Sequence, residues 1–418
     1  MFGLQEYFDQ LIQDEFKPHR LGVKILEVDL EKIGLHITSE QRQDLEEQFK
    51  SLGQDSLKFD FSENQLEKSG VSSEAELKPK LQEVIDNLPK SIEVFSGKID
   101  GMMEGLILSV VDKMAESVSN TLQSRMDDML KDQYEIQNAF DNNLHDIWAE
   151  ALNLLQGLIV ISDEAAQGYL KRSDKYSKND LTKNLLVRLY AKANQISKEI
   201  LHLIRHGFAD GAQARWRSLH EIAVVCNFIA EHGDSVAERY VQHESVEIYK
   251  AAKQYNQFYA RLGAEKIDDS EMVLIEKEYL ELIDKYGKSY ASDYGWAATA
   301  LNLKRPMFIN IEASVKLDHI RPYYKSASAN IHANPAGVFK RLGLFPEEDI
   351  LLAGPSGIGL SDPARSTVMS LTQITTSVLT YGANIDFLVV CRAMDEYGKS
   401  VKNKFLEIEN EIYTQRNA

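Results

Sequence analysis

The sequence predicts a mainly α protein: a helical bundle domain preceded by a small α+β N-terminal region and a long amphipathic helix. Three observations predict it. From about residue 140 onward, apolar residues recur at three- and four-residue steps, and Gly- or Pro-marked breaks separate the runs. Residues 97–133 carry one apolar stripe at the same spacing. Only residues 20–65 show alternation, the period of a half-buried strand.

Residues 1–70 read as the small acidic α+β region. GVKILEVDL and KIGLHIT alternate in part, and SLKFDFS has the composition of a third strand. TSEQRQDLEEQF reads as a capped helix, with Thr38 as cap. Residues 71–140 read as a long helical connector. GVSSEAELKPK is its polar lead-in, and Ile99, Met103, Leu106, Val110, Met114, Val118, Leu122, Met126 and Met129 form one stripe. Such a stripe needs a second helix to cover it, in the same chain or in another copy, so a homo-oligomer is expected.

Residues 141–418 read as the helical domain. One helix is expected over 142–158. A second runs from Asp180 to His206 and stops at Gly207. A third is capped by Asp210 and stops at Gly233, and a fourth, capped by Asp234 or Ser235, ends near Gly263. A fifth ends near Gly287. SYASDYGWAATALNLKRP is an aromatic-rich loop, Pro322 restarts a helix, and LLAGPSGIGLSDPA is a loop before a last helical stretch over 363–414. No internal repeat is present.

Charge is unevenly distributed. Residues 1–150 hold 31 Asp and Glu against 15 Lys and Arg, a balance of −16; residues 151–418 hold 33 against 32, a balance of −1. The acidic part would repel a phosphate backbone, so an anionic partner such as RNA would bind the helical domain, and a protein partner suits the acidic region. Cys226 and Cys391 lie in apolar runs, which suits reduced thiols. The acidic opening MFGLQEYFDQLIQDEF has no leader pattern, and apolar runs such as GLILSVV are shorter than a membrane span. A cytoplasmic protein without membrane contact is expected.

Two polar stripes are the candidate site. In ARWRSLHEIAVVCNFIAEHG, Arg217, His220 and Glu221 head the helix face that Val224 and Phe228 continue into the core. In HIRPYYKSASANIHANP, Arg321, Tyr324, Lys325, Ser328 and His332 share an arc of about 100°, as wide as an ordinary apolar face. A solvated face carries long Glu and Lys; this one carries Tyr, Ser and His. The two stripes are expected to face each other, bringing Arg217 and Glu221 to His332.

Other motifs fall short. Arg215 and His220 match the R-x4-H pattern of HEPN-type ribonucleases, but Trp216 stands where those enzymes carry a polar residue. Glu199, His202 and His206 have metal-ligand spacing without a second ExxH, so no metal is expected. The glycines of GPSGIGLSDP lack the Lys-Ser/Thr of a phosphate loop, and no G-x-S-x-G elbow is present.

ARWRSLHEIAVV, AERYVQHESVEIYKAAKQY, DYGWAA, DHIRPYYKSASANIHANPAGVFKRLG and LLAGPSGIGLSDP together resemble the domain of unknown function 5677 family of bacterial proteins, over about 145–375. The resemblance implies a mostly helical domain and supplies no activity. Its pattern matches Arg217, Glu221, Tyr324, Ser328 and His332.

Three functions fit these residues. The first is a non-catalytic interaction or scaffold module with a buried Arg/Glu/Tyr/Ser/His cluster. The second is a HEPN-like, metal-independent ribonuclease or RNA-binding effector in stress or phage defence. There His332 or His220 would move protons, Arg217 or Arg321 would stabilise charge, and Tyr324 would orient phosphate, with Glu221, Lys325 and Ser328 beside them. The third is a small-ligand sensor with Trp296 of the YGW segment as pocket wall. None calls for a cofactor.

Overall fold

The computed structural model describes residues 4–51, 58, 60–71, 74–173, 180–332, 335–348, 350–382 and 384–417. The chain divides into two units, residues 1–132 and 133–418.

The first unit contains α1 (Leu4–Glu15), α2 (Pro18–Lys32), α3 (Ser39–Lys50), α4 (Glu63–Lys68), α5 (Glu74–Ser96), α6 (Ile99–Ser124) and the start of α7 (Met126–Ser173). Among the described residues there is no strand, so the α+β expectation is corrected. GVKILEVDL lies inside α2, which Pro18 opens. Val23, Leu26 and Leu30 recur at three- and four-residue steps and form the core with Leu35, Leu45 and Val84. The helical period was thus present beside the alternation, and burial against α3 and α5 selected it. In KIGLHIT, Gly34 takes φ 81°, which breaks the chain direction and drops Leu35 into that core. In SLKFDFS, Ser56, Leu57 and Phe59 lie outside the described residues, and Lys58, Asp60, Phe61 and Ser62 form no strand.

The capped helix is present as α3. Gln41 N donates to Thr38 Oγ1 at 3.2 Å, and Thr38 N donates to Gln41 Oε1 at 2.8 Å, a reciprocal capping box. Thr38→Ala is expected to cost about 1 kcal/mol. Hydrogen exchange of the α3 amides in the full chain measures it as roughly fivefold faster opening.

The stripe over 97–133 is carried by two helices, not one. Arg125 interrupts them, sending its N–H to Thr121 O and Gln123 O. Along α6, Met103, Ile107, Val110, Met114 and Val118 are half-buried and their described neighbours exposed.

The second unit contains the rest of α7 and α8 (Leu181–Arg205), α9 (Ala209–His232), α10 (Asp234–Phe258), α11 (Asp269–Tyr286), α12 (Ala298–Leu301), α13 (Phe308–Ser314), α14 (Arg321–Ala329), α15 (Pro335–Phe339), α16 (Ser361–Thr380) and α17 (Ile385–Asn417). Helices α8, α9 and α16 pack on one another; α10 lies on α8, α9 and α11, and α17 lies on α16. Trp148, Trp216, Phe228, Tyr290 and Phe405 fill the core. By length and composition alone, Met126–Arg172 is apolar enough to cross a membrane; its Leu144, Trp148, Leu155 and Ile159 are core residues of this unit.

Several boundaries differ from the sequence reading. The helix expected over 142–158 continues to Ser173, because Leu158, Ile159, Ala166 and Tyr169 keep the core face going. Asp180 caps α8 as expected, accepting from Lys183 N at 2.8 Å, and Gly207 takes φ 77° after it. Asp210 does not cap α9, whose N-cap is Phe208; its carboxylate holds Arg341 Nε (2.9 Å) and Leu342 N (3.0 Å). Neither Asp234 nor Ser235 caps α10, which follows Gly233; Asp234 takes the N–H and hydroxyl of Thr182. Helix α14 ends at Ala329, so the expected stripe loses its last turn. The final stretch is broken at Tyr381–Asn384, where Gly382 takes φ 71°.

Candidate functional site

Helix α9 turns Trp216, Leu219, His220 and Ala223 into the core, at helical spacing. His220 stands beneath two short helices, α13 and α14. Its Nε2 donates to Glu312 Oε1 at 3.0 Å, and neither side chain has any exposed surface. Arg321, one-fifth exposed at the start of α14, brings Nε to 3.0 Å from Glu312 Oε2. The two atoms are out of hydrogen-bond alignment, so this contact is coulombic. Glu312 therefore joins a ring nitrogen of α9 to a guanidinium of α14.

A second, shallower pair lies beside it. Tyr324 Oη donates to Glu221 Oε1 at 2.6 Å, and Arg217 Nη2 stands 3.1 Å from the same oxygen. The Arg217 guanidinium lies 4.6 Å from the Tyr324 ring centre and that of Arg321 5.2 Å from it, so the ring is held by cations from both helices. Burial, then the bond to Glu221, pushes the Tyr324 phenol well above its usual range, so it stays protonated and donating. Burial and the nearby Glu221 charge raise the Tyr294 phenol likewise.

The structure brings together Arg217, His220, Glu221, Arg321 and Tyr324. The others fall elsewhere. His332 lies on an exposed turn beyond α14; among the described residues its side chain has no hydrogen bond or ion pair, with Arg217 and Glu221 or with anything else. Lys325 is exposed. Ser328 spends its hydroxyl on Tyr324 O at 2.8 Å, inside its own helix. Trp296 is buried edge-on against Phe228 and Tyr240, with ring centres 5.7 and 5.0 Å away. Arg215, the first residue of the R-x4-H pattern, is paired with Glu199 at 2.5 Å, while His220 is paired with Glu312.

Glu312 was missed by sequence reasoning. It sits in FINIEAS, a seven-residue helix too short to show a period, and a carboxylate beside Ile311 reads as exposed. The available signal was the lone charge in an apolar run.

A cavity of about 590 Å³ adjoins the cluster, lined by Glu221, Tyr294, Phe308 and Trp296 on one side and by His243 and Glu247 of α10 on another. His243 is buried, with Nε2 3.0 Å from both Tyr290 O and Ser292 O, which ties α10 to the aromatic loop. Burial pulls its imidazole below the ordinary range, against the bonds to those carbonyls and the charge of Glu247. The neutral ring is favoured in the fold, so its stabilisation is present above about pH 6.5 and is lost as pH falls from there. The stability of this unit to urea is expected to fall as pH drops below about 6.5, and His243→Asn to flatten that slope; an unchanged slope in the variant contradicts the assignment.

No curated protein and no solved structure matches the chain. Residues 183–349 match the model of a family of unknown function (DUF5677). The matched stretch runs from α8 past α15 and contains Arg217, His220, Glu221, Glu312, Arg321 and Tyr324. Residues 183–349 of this chain, built around that cluster, are thus similar to the DUF5677 family.

Proposed function

We propose that the second unit is a non-catalytic interaction or scaffold module, in which the polar cluster holds α9, α13 and α14 in register. One observation carries this reading: His220 and Glu312 are paired with no exposed surface at all. A general base must come within hydrogen-bond reach of its substrate, and a side chain sealed beneath two helices does not. Tyr324 is already donating to Glu221, which occupies the donor that would orient a phosphate. His332 is accessible but has no charged side chain bonded to it among the described residues to tune or orient it. The acidic first unit then supplies a recruiting surface for a protein partner.

The test is incubation of the purified full chain with labelled single-stranded RNA, beside His332→Ala. The expected result is no cleavage above buffer and identical traces for the two proteins. Cleavage that His332→Ala abolishes would overturn the reading in favour of a ribonuclease.

A second reading, a small-ligand sensor, is favoured by the cavity beside Glu221, whose lining combines aromatic rings with Glu221, Glu244, Glu247 and Asp293 against Lys192 and Arg215, a formal balance of −2. Aromatic faces and carboxylates together suit an organic cation. A thermal-shift series with amines and guanidinium compounds tests it: a rise in Tm that Glu221→Gln removes supports the sensor, and a flat series rejects it.

A further inference from the structure

Among the described residues, the first unit has two partly exposed apolar surfaces along which no further helix packs. One is a groove of about 600 Å³ between α2 and α5, floored by Ile25, Val84 and Phe95, with Val28 and Val94 about half exposed (47% and 53%). Its rim carries Lys32, Lys90 and Lys98 against Asp29 and Glu83, a formal balance of +1. The surrounding residues 1–132 hold 27 Asp and Glu against 15 Lys and Arg, a balance of −12, so the groove is a positive place on an acidic unit. At its edge Asp29, 3% exposed, takes Ser91 Oγ and Lys32 Nζ on one oxygen, while Oδ2 is buried with no donor among the described residues. The second surface is the α6 stripe of Met103, Ile107, Val110, Met114 and Val118. Helix α6 carries Asp100, Glu104, Asp112 and Glu116 against Lys113, a balance of −3.

The two surfaces are complementary in charge and length. Met103 to Val118 spans about 22 Å of helix, and the 15 residues of α2 span about the same. Among the described residues they do not pack on each other within one chain. Gly97 N–H bonds Glu93 O, Lys98 N–H bonds Phe95 O, and Lys98 keeps φ −104°, ψ −5°. These bonds make a turn between α5 and α6, and among the described residues α6 does not pack along α2 or α5. An α6 that leaves its own groove unfilled is free to enter another.

We propose that two copies of this chain form a twofold dimer in which α6 of each lies in the α2–α5 groove of the other. A twofold arrangement makes both contacts at once and closes, leaving neither surface for further growth. It buries two apolar stripes and places an acidic helix between lysines. A membrane surface suits the groove and stripe less well, because anionic headgroups would repel residues 1–132.

Sedimentation velocity of the full chain at micromolar concentration tests the proposal. The wild type is expected to be a dimer. Val110→Asp on α6 and Lys90→Glu/Lys98→Glu on the exposed groove rim are each expected to weaken it by about tenfold or more, with unchanged helical circular dichroism. An equimolar mixture of the two variants retains one intact groove facing one intact α6, so part of the dimer returns. A monomeric wild type, or an unaffected dimer in the lysine variant, overturns the proposal; the latter would leave α6 pairing only with α6. Binding to vesicles of anionic lipid by a monomeric chain overturns it in favour of a membrane surface.

Discussion

Glu312→Ala is expected to destabilise the second unit by about 3–5 kcal/mol, the range for removing one partner of a buried pair. The loss is large because two groups are stranded at once. His220 Nε2 keeps its proton with no acceptor, and Arg321 loses the carboxylate opposite its guanidinium. His220 Nδ1 already has no partner among the described residues, so the ring would then be buried with both nitrogens unmet. Burying an unpaired polar group costs about 1–3 kcal/mol by itself. Urea unfolding followed by circular dichroism measures the change as a lower midpoint at similar slope. Arg217→Ala, by contrast, is expected to cost at most about 1 kcal/mol, because the Arg217–Glu221 pair is about one-third exposed and water screens it.

Trp216→Ala is expected to be of the same size, about 3–5 kcal/mol, for a different reason. The indole is fully buried where α9 meets α16, and its Nε1 donates to Ser370 Oγ at 2.9 Å. Removing it leaves a cavity between two of the three central helices and a buried hydroxyl without its donor. It also removes the ring whose centre lies 5.5 Å from that of His220, so the wall of the polar joint goes with it. Trp216→Phe keeps the filling and loses the hydrogen bond, and is expected to recover more than half of the stability. Equal losses in the two variants would show that the hydrogen bond, not the packing, matters at this position.

The helical fold was legible because it rests on local signals. Asp180 before an apolar run, and Gly207, Gly233, Gly263 and Gly287 after one, marked helix ends that the structure keeps. The N-terminal region was misread where two periods coexist: Val23 and Ile25 alternate, yet Val23, Leu26 and Leu30 also share one helix face. Which period wins depends on what packs against it, and that information lies in α3 and α5, not in the stretch itself. The site was legible on α9 because a long helix has a wheel. It was half-legible on α14, where Arg321 and Tyr324 fall inside the helix and His332 falls beyond its end, as nine residues are too few to extend a face to position 332. Glu312 was illegible because its meaning comes from His220, 92 residues earlier in the chain.

The measurement that bears most directly on the central claim is the coupling between His220 and Glu312. Unfolding free energies of the wild type, His220→Leu, Glu312→Leu and the double variant form a closed cycle. If the pair is a sealed joint that holds the fold, each single variant strands the other group. Replacing both by apolar side chains then recovers part of the loss, with a coupling of about 1.5–3 kcal/mol. Additive losses, with a coupling within about 0.5 kcal/mol of zero, would contradict it: the two residues would then not stabilise the protein through each other.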